Sequence, residues 1–224
     1  MGLKGGSRLP KQTFFNLPAE KRKLLTDLTL EEFAAHTYHA ASLSRIVERA
    51  GIAKGSMYQY FEGKLDLYLY ALKLVMEVKL RILSEAFSGL GPEADIFQRL
   101  MAATRAGLRL ARDEPTLYAV GNNLARETDQ TVLARVLAGL QPAGDNMLSG
   151  WFAEAAARGE IGPRVDPAAA LYAFNAVTWQ MSQDIAAGRI AFDAIEPLLA
   201  QVFDVLKQGL APRGQAGPSE KPAR

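Results

Sequence analysis

Ser42-Leu43-Ser44-Arg45-Ile46-Val47-Glu48-Arg49-Ala50-Gly51-Ile52-Ala53-Lys54-Gly55-Ser56-Met57-Tyr58-Gln59-Tyr60-Phe61 reads as two short helices joined by a turn at Ala50-Gly51-Ile52. Ile46 and Val47 form the inward face of the first helix. Met57 and Phe61, with the ring of Tyr60, anchor the second. Gly51 stands where a tight turn wants a residue tolerant of positive φ. The second helix is otherwise crowded with small, hydroxyl and aromatic side chains. A helix-turn-helix of this kind lays its second helix in a DNA major groove.

Outward from this stretch nearly everything predicts helix, and the fold class is all-α. Pro18 suits a first helical position, and Leu24, Leu25, Leu28, Leu30 and Phe33 follow at helical spacing. Thr37 to Ala41 is a connector. On the other side, Leu67, Tyr70, Leu74, Val78, Ile82 and Phe87 carry a long helix from Leu65 to about Ser88, where Gly89-Leu90-Gly91-Pro92 stops it. Glu93 to Arg112 makes the next, and Asp113-Glu114-Pro115 opens another that runs to about Glu127. Residues 129–158 form one helix or a pair divided near Pro142. Gly159 is a helix stop, with Ile161 placed for the apolar contact of a Schellman cap. Asp166-Pro167 starts a helix, and Asp193 with Glu196 reads as a capping box. These last two helices, about 167–187 and 194–209, are rich in apolar residues and pack internally or against a twin subunit.

The expected organisation is a basic N-terminal arm (1–17), a three-helix helix-turn-helix domain (18–64), a larger helical domain (65–210) and a disordered tail (211–224). The chain of 224 residues is 49% hydrophobic, ordinary for a globular protein. It has no cysteine, which excludes disulfides and thiolate metal sites and suits a reducing cytoplasm. No run of about 18 apolar residues predicts a membrane span, and Met1 to Lys11 lacks the apolar core of a signal peptide. Residues 1–64 carry ten Lys/Arg against six Asp/Glu, a net of +4, whereas the remainder is net −2. Positive charge thus gathers beside the helix-turn-helix, as phosphate binding requires.

Tyr58 and Lys64 are the best candidates for phosphate contacts, one through a phenol donor and one through an ammonium. Tyr60 divides between phosphate contact and packing. Lys54, Gly55, Ser56 and Gln59 lie on the early, exposed part of the second helix. There Gly55 permits close approach, Ser56 bonds base edges or phosphate, and Gln59 addresses adenine. Ser42 and Ser44 cap the preceding helix or bind phosphate; Arg45 adds a phosphate contact or pairs with Glu48 or Glu32. His36 and His39 straddle a helix end with no ligand-spaced carboxylate, so no metal is expected, and no cofactor either. Met76, Phe97, Met101, Tyr118, Phe152 and Trp179, set among polar residues such as Asn122, Asn123 and Asn175, suggest a cavity for a largely apolar small molecule. An all-helical enzyme is the weaker alternative, because neither G-x-S-x-G, nor a phosphate-cradling glycine loop, nor H-E-x-x-H is present. A non-specific nucleoid-type DNA binder is the other.

Ile46-Val47, Ala50-Gly51-Ile52, the run Lys54 to Phe61 and Lys64 together resemble the amino-terminal domain of TetR-family transcriptional regulators. The resemblance covers about residues 18–70. It implies an all-α homodimer that binds a near-palindromic operator. Each subunit would have a three-helix DNA-binding domain, a connecting fourth helix and a ligand-binding, dimerising domain. The last two long helices would pair across the dimer as a four-helix bundle. A repressor whose small-molecule ligand lowers operator affinity is the implied function. The chain departs from the family pattern at Ala53, where Ser or Thr usually caps the recognition helix, and at Thr37, in place of a usual Gly. It also lacks an acidic residue directly after Lys64.

Overall fold

The computed structural model describes residues 10–140 and 144–211, so the expectations for residues 1–9, for Pro142 and for the tail from 212 onward lie outside the described residues. Among the described residues there are eleven helices and no strand. They are α1 (Gln12–Phe15), α2 (Ala19–Ala35), α3 (Leu43–Arg49), α4 (Lys54–Tyr60), α5 (Lys64–Ser88) and α6 (Ile96–Asp113). The remainder are α7 (Pro115–Ala125), α8 (Gln130–Leu140), α9 (Gly144–Ala157), α10 (Pro167–Ala186) and α11 (Phe192–Leu210). No helix among the described residues is long and apolar enough to cross a membrane.

The chain forms two compact units, which do not coincide with a division at residue 64. One comprises Met1–Ala86 with Arg105–Pro142, and the other Phe87–Thr104 with Ala143–Arg224. In the first unit, Phe33, Ile46, Met57, Phe61, Leu67, Tyr68, Leu72 and Val120 are core. Helix α7 belongs to the first unit because it packs along α2. There the Asn123 side chain donates to the carbonyls of Phe33 and Ala34 at 2.9 and 3.0 Å. Asn123 therefore ties two helices together rather than facing a cavity. In the second unit, α10 packs on α9 and α11. Rings of Phe152, Phe174 and Phe203 meet there at 6.1 and 6.2 Å. Trp151 lies edge-on to Phe87 at 5.2 Å.

Several expected boundaries shift by a residue or a few. Pro18 is the residue before α2, extended at φ −51° and ψ 142°, and not its first helical position. Leu24 is exposed, while Thr29 and Glu32 take buried places on α2. Helix α6 begins at Ile96, not Glu93, because Asp95 and Gln98 form the capping box: Gln98 N–H donates to Asp95 Oδ1 and Asp95 N–H to Gln98 Oε1. Asp166 caps α10, accepting from Ala168 N–H at 2.8 Å. Asp193 does not cap α11. That helix starts after Ala191, so Asp193 sits inside the first turn, where its charge complements the helix dipole.

Three glycines with positive φ, Gly51, Gly159 and Gly188, end α3, α9 and α10 in the same way. At Gly159 the amides of Gly159 and Glu160 return to Ala156 and Ala155, a Schellman cap. The position after the glycine is thus Glu160, and Ile161, although buried, lies one residue beyond the expected contact. At Gly51 (φ 64°) the amides of Gly51 and Ile52 return to Glu48 and Val47, both at 3.1 Å. A Cβ at Gly51 would meet nothing within 4 Å, so only the backbone demands glycine. Gly51→Ala is expected to lower unfolding free energy by about 1–2 kcal/mol, the left-handed penalty, in urea denaturation followed by circular dichroism.

Candidate nucleic-acid interface

Helix α4 has seven residues, too few to be stable alone, so its orientation is set by what it buries. Met57 and Phe61, one turn apart, are 2% and 1% exposed. Phe61 stacks with Phe14 of α1 and Tyr70 of α5 at 5.2 and 5.7 Å. Burying that edge turns Lys54, Gly55, Tyr58 and Gln59 to solvent, with Ser56 and Tyr60 half-buried beside them. A Cβ at Gly55 would touch nothing within 4 Å. The fold therefore does not require glycine there, and the missing side chain matters only to something approaching from outside. Ala53 makes no side-chain cap, as its composition dictates.

Helix α3 is aimed by a buried carboxylate. Glu32, 4% exposed, accepts from Ser42 N–H at 2.7 Å and from Arg45 Nη2 at 2.5 Å, with Arg45 Nε at 3.1 Å. Burial alone would raise the Glu32 pKa. The Arg45 and Ser42 hydrogen bonds and the charge of Arg45 outweigh that and hold it below its ordinary value. Arg45 also donates to the Ala40 carbonyl at 2.8 Å. Of its expected alternatives, pairing with Glu32 is the one the structure adopts. Ser42 is the N-cap of α3, accepting from Arg45 N–H at 3.4 Å, while Ser44 is exposed.

Lys64 is committed inward as well. Its Nζ donates to the His39 and Ala41 carbonyls, both at 3.1 Å, and lies 4.7 Å from the centre of the Tyr38 ring. Burial lowers its pKa, against the raising influence of Glu32. Asp66, two residues on, accepts from Glu62 N–H at 2.9 Å. His39 pairs with Asp129 at 2.9 Å, and no metal-binding cluster of three His, Asp or Glu occurs among the described residues.

The comparisons with known proteins fall on the same residues. A family model for bacterial regulatory proteins of the tetR family matches residues 25–71. That segment contains α3, α4 and the Glu32 and Lys64 anchors. Residues 25–71 are thus similar to the amino-terminal domain of the tetR family. The chain is 35% identical over 105 residues to the HTH-type transcriptional activator FasR of Mycolicibacterium smegmatis. The match spans 47% of this chain and 43% of that relative, so it speaks for less than half of either. A TetR-family regulator from Chloroflexus aurantiacus is similar in structure over 92% of this chain and 100% of its own, with TM-score 0.73 and 29% identity. The Bacillus subtilis regulator FadR, solved in complex with stearoyl-CoA, shares the fold at TM-score 0.63 and 21% identity, over 84% of this chain and 98% of its own.

Outside α1 to α4, the chain divides its expected ligand residues between the two units. Met76, Tyr118 and Asn122 are half-buried in the first; Phe97 and Phe152 are buried, and Met101 half-buried, in the second. Asn175 and Trp179 instead project from the solvent side of α10, so neither lines an interior cavity of the subunit. Sequence reading offered Glu32 only as one of two partners for Arg45 and did not foresee its bond to the Ser42 amide, and it missed α1 altogether by treating residues 1–17 as an arm. The aromatic pair Phe14-Phe15 just before Pro18 was the available signal. Glu32→Ala is expected to cost about 1–3 kcal/mol by leaving the Ser42 amide and Arg45 unmatched. Because the folded pKa of Glu32 is depressed, its contribution is present above the ordinary glutamate pKa and lost as pH falls through the folded value. The acid-induced loss of stability in the wild type should therefore be shallower in Glu32→Ala, as measured by thermal melting from pH 7 downward.

Proposed function

We propose that this chain is a TetR-family regulator that binds a near-palindromic operator as a homodimer, represses transcription there and is released by a small, largely apolar molecule. The observation that carries the DNA reading is the outward face of α4, where Lys54, Gly55, Tyr58 and Gln59 stand exposed over buried Met57 and Phe61. Gln59 offers paired donor and acceptor groups to adenine, Gly55 allows close approach, and Ser56 and Lys54 reach base edges or phosphate. Tyr58, 47% exposed, donates to phosphate, with Tyr60 and Ser44 at the margins. Ser42 and Lys64 approach the backbone only with the hydrogen-bonding capacity left over from their internal partners, and Arg45 acts chiefly through Glu32.

Dimerisation through the last two long helices is supported by what they leave uncovered. Tyr172 and Val205 are 77% and 70% exposed and Trp179 is 39% exposed, a concentration of large apolar surface that a monomer rarely presents. Two recognition helices on such a dimer would meet successive major grooves about 34–36 Å apart. An effector then works through its unequal affinity for the DNA-competent and incompetent forms. That FadR was solved with stearoyl-CoA supports a molecule with a long apolar part, for which buried Phe97 and Phe152 and half-buried Met101 are candidate contacts within the second unit.

Selection of bound genomic DNA with the purified protein should recover a near-palindrome, and deletion of the gene should raise transcripts beside it. A fall in those transcripts would favour activation, the direction carried by the name of FasR. Gln59→Ala should weaken binding to the recovered site by about 1–3 kcal/mol and relax preference at one base pair of each half-site, read by competition binding. Tyr172→Glu with Trp179→Glu should give monomers in sedimentation velocity and abolish tight operator binding.

A further inference from the structure

A helix as short as α4 ends with carbonyls that its own turns do not satisfy. No glycine follows to fold them back, since Phe61 is extended at φ −134° and ψ 147°. The Glu62 amide, which would serve the Tyr58 carbonyl in a longer helix, donates instead to Asp66. The missing donors come from the other end of the domain. Lys11 Nζ donates to the Tyr58 carbonyl at 3.1 Å, the Thr13 hydroxyl donates to the Gln59 carbonyl, and Lys11 N–H donates to the Tyr60 carbonyl at 2.9 Å. Three successive carbonyls are thus held from α1 and the residue before it. The ammonium also lies at the end of α4 where the helix dipole favours a cation.

The same short element is locked in place by its ring. Phe14 is 1% exposed and lies 5.2 Å from Phe61, 5.3 Å from Tyr70 and 6.2 Å from Tyr60. Arg22 of α2 closes the far side by donating to the Phe15 carbonyl at 2.9 Å. We propose that Lys11, Thr13 and Phe14 form a C-terminal clamp on the recognition helix and act as positioning residues for operator recognition. The clamp fixes the pitch at which Tyr58 and Gln59 leave α4, because their own carbonyls are the ones held. This inference rests on the reading of α4 as the DNA-facing helix. Side chains 11 and 13 need not touch DNA for the clamp to work.

The test uses the full chain, a duplex carrying the recovered operator and a scrambled duplex of equal length. Wild-type protein must first prefer the operator; equal binding to both duplexes would sink the operator reading itself, clamp or no clamp. Given that preference, Thr13→Val, which keeps the shape and removes the donor, should weaken operator binding about threefold to tenfold and leave scrambled-duplex binding unchanged. Thr13→Ser should restore it. Thr13 is exposed, and thermal melting of both variants checks that the fold persists. Lys11→Met should likewise lose operator preference with the salt dependence of binding unchanged. Full operator affinity in Thr13→Val would overturn the clamp. So would a Lys11→Met protein that weakens equally on both duplexes with a salt slope shallower by about 1, the mark of a direct phosphate contact.

Discussion

A recognition helix of seven residues cannot hold itself, and that constraint organises the first unit. Nucleating a helix costs more than so few turns return. Everything that keeps α4 helical and aimed must come from its neighbours. Met57 and Phe61 give it one buried edge, the rings of Phe14 and Tyr70 close around that edge, and donors from Lys11 and Thr13 finish its open end. The exposed edge is what remains after these requirements are met. Its polarity and small residues are free to serve a partner because none of them is needed inside.

The connector between α2 and α3 solves a related difficulty with charge. Successive carbonyls of His39, Ala40 and Ala41 point at cations: Lys64 takes the first and third, and Arg45 the second. Two positive groups brought this close to a packed core need an anion, and Glu32 provides it from the buried face of α2 while also holding the first amide of the next segment. The arrangement gives rigidity to a stretch where Thr37 stands in place of the family's usual glycine. Removing the carboxylate would leave the cations without their counter-charge and the Ser42 amide without its acceptor, which is why one glutamate influences two helices.

How much could be read from the chain depended on how local the signal was. Ser42, Gly51, Asp166 and Gly159 act on their own few residues, and each marks the helix end where it was expected. Asp193 and Glu196 match a capping pattern too, but spacing alone cannot say whether an Asp lies before a helix or in its first turn. The α4 face was legible because the buried pair and the exposed polar residues fall at helical spacing. Partners distant in sequence were not. Glu32 with the Ser42 amide, Asn123 with the end of α2, and Thr13 with Gln59 are separated by 10, about 90 and 46 residues, and no period links them. Trp179 and Asn175 show the same gap: their residue types suggested a cavity lining, but composition does not say which way a helix face turns.

Both tryptophans, Trp151 and Trp179, belong to the second unit. One is packed edge-on to Phe87 and the other is partly open to water. Helices α1 to α4 contain no indole at all, so their only near-ultraviolet chromophores are tyrosine and phenylalanine. Excitation at the red edge of protein absorption therefore lights a single half of the molecule. An emission change on adding duplex would be a built-in optical record of communication between the halves, with no extrinsic dye attached.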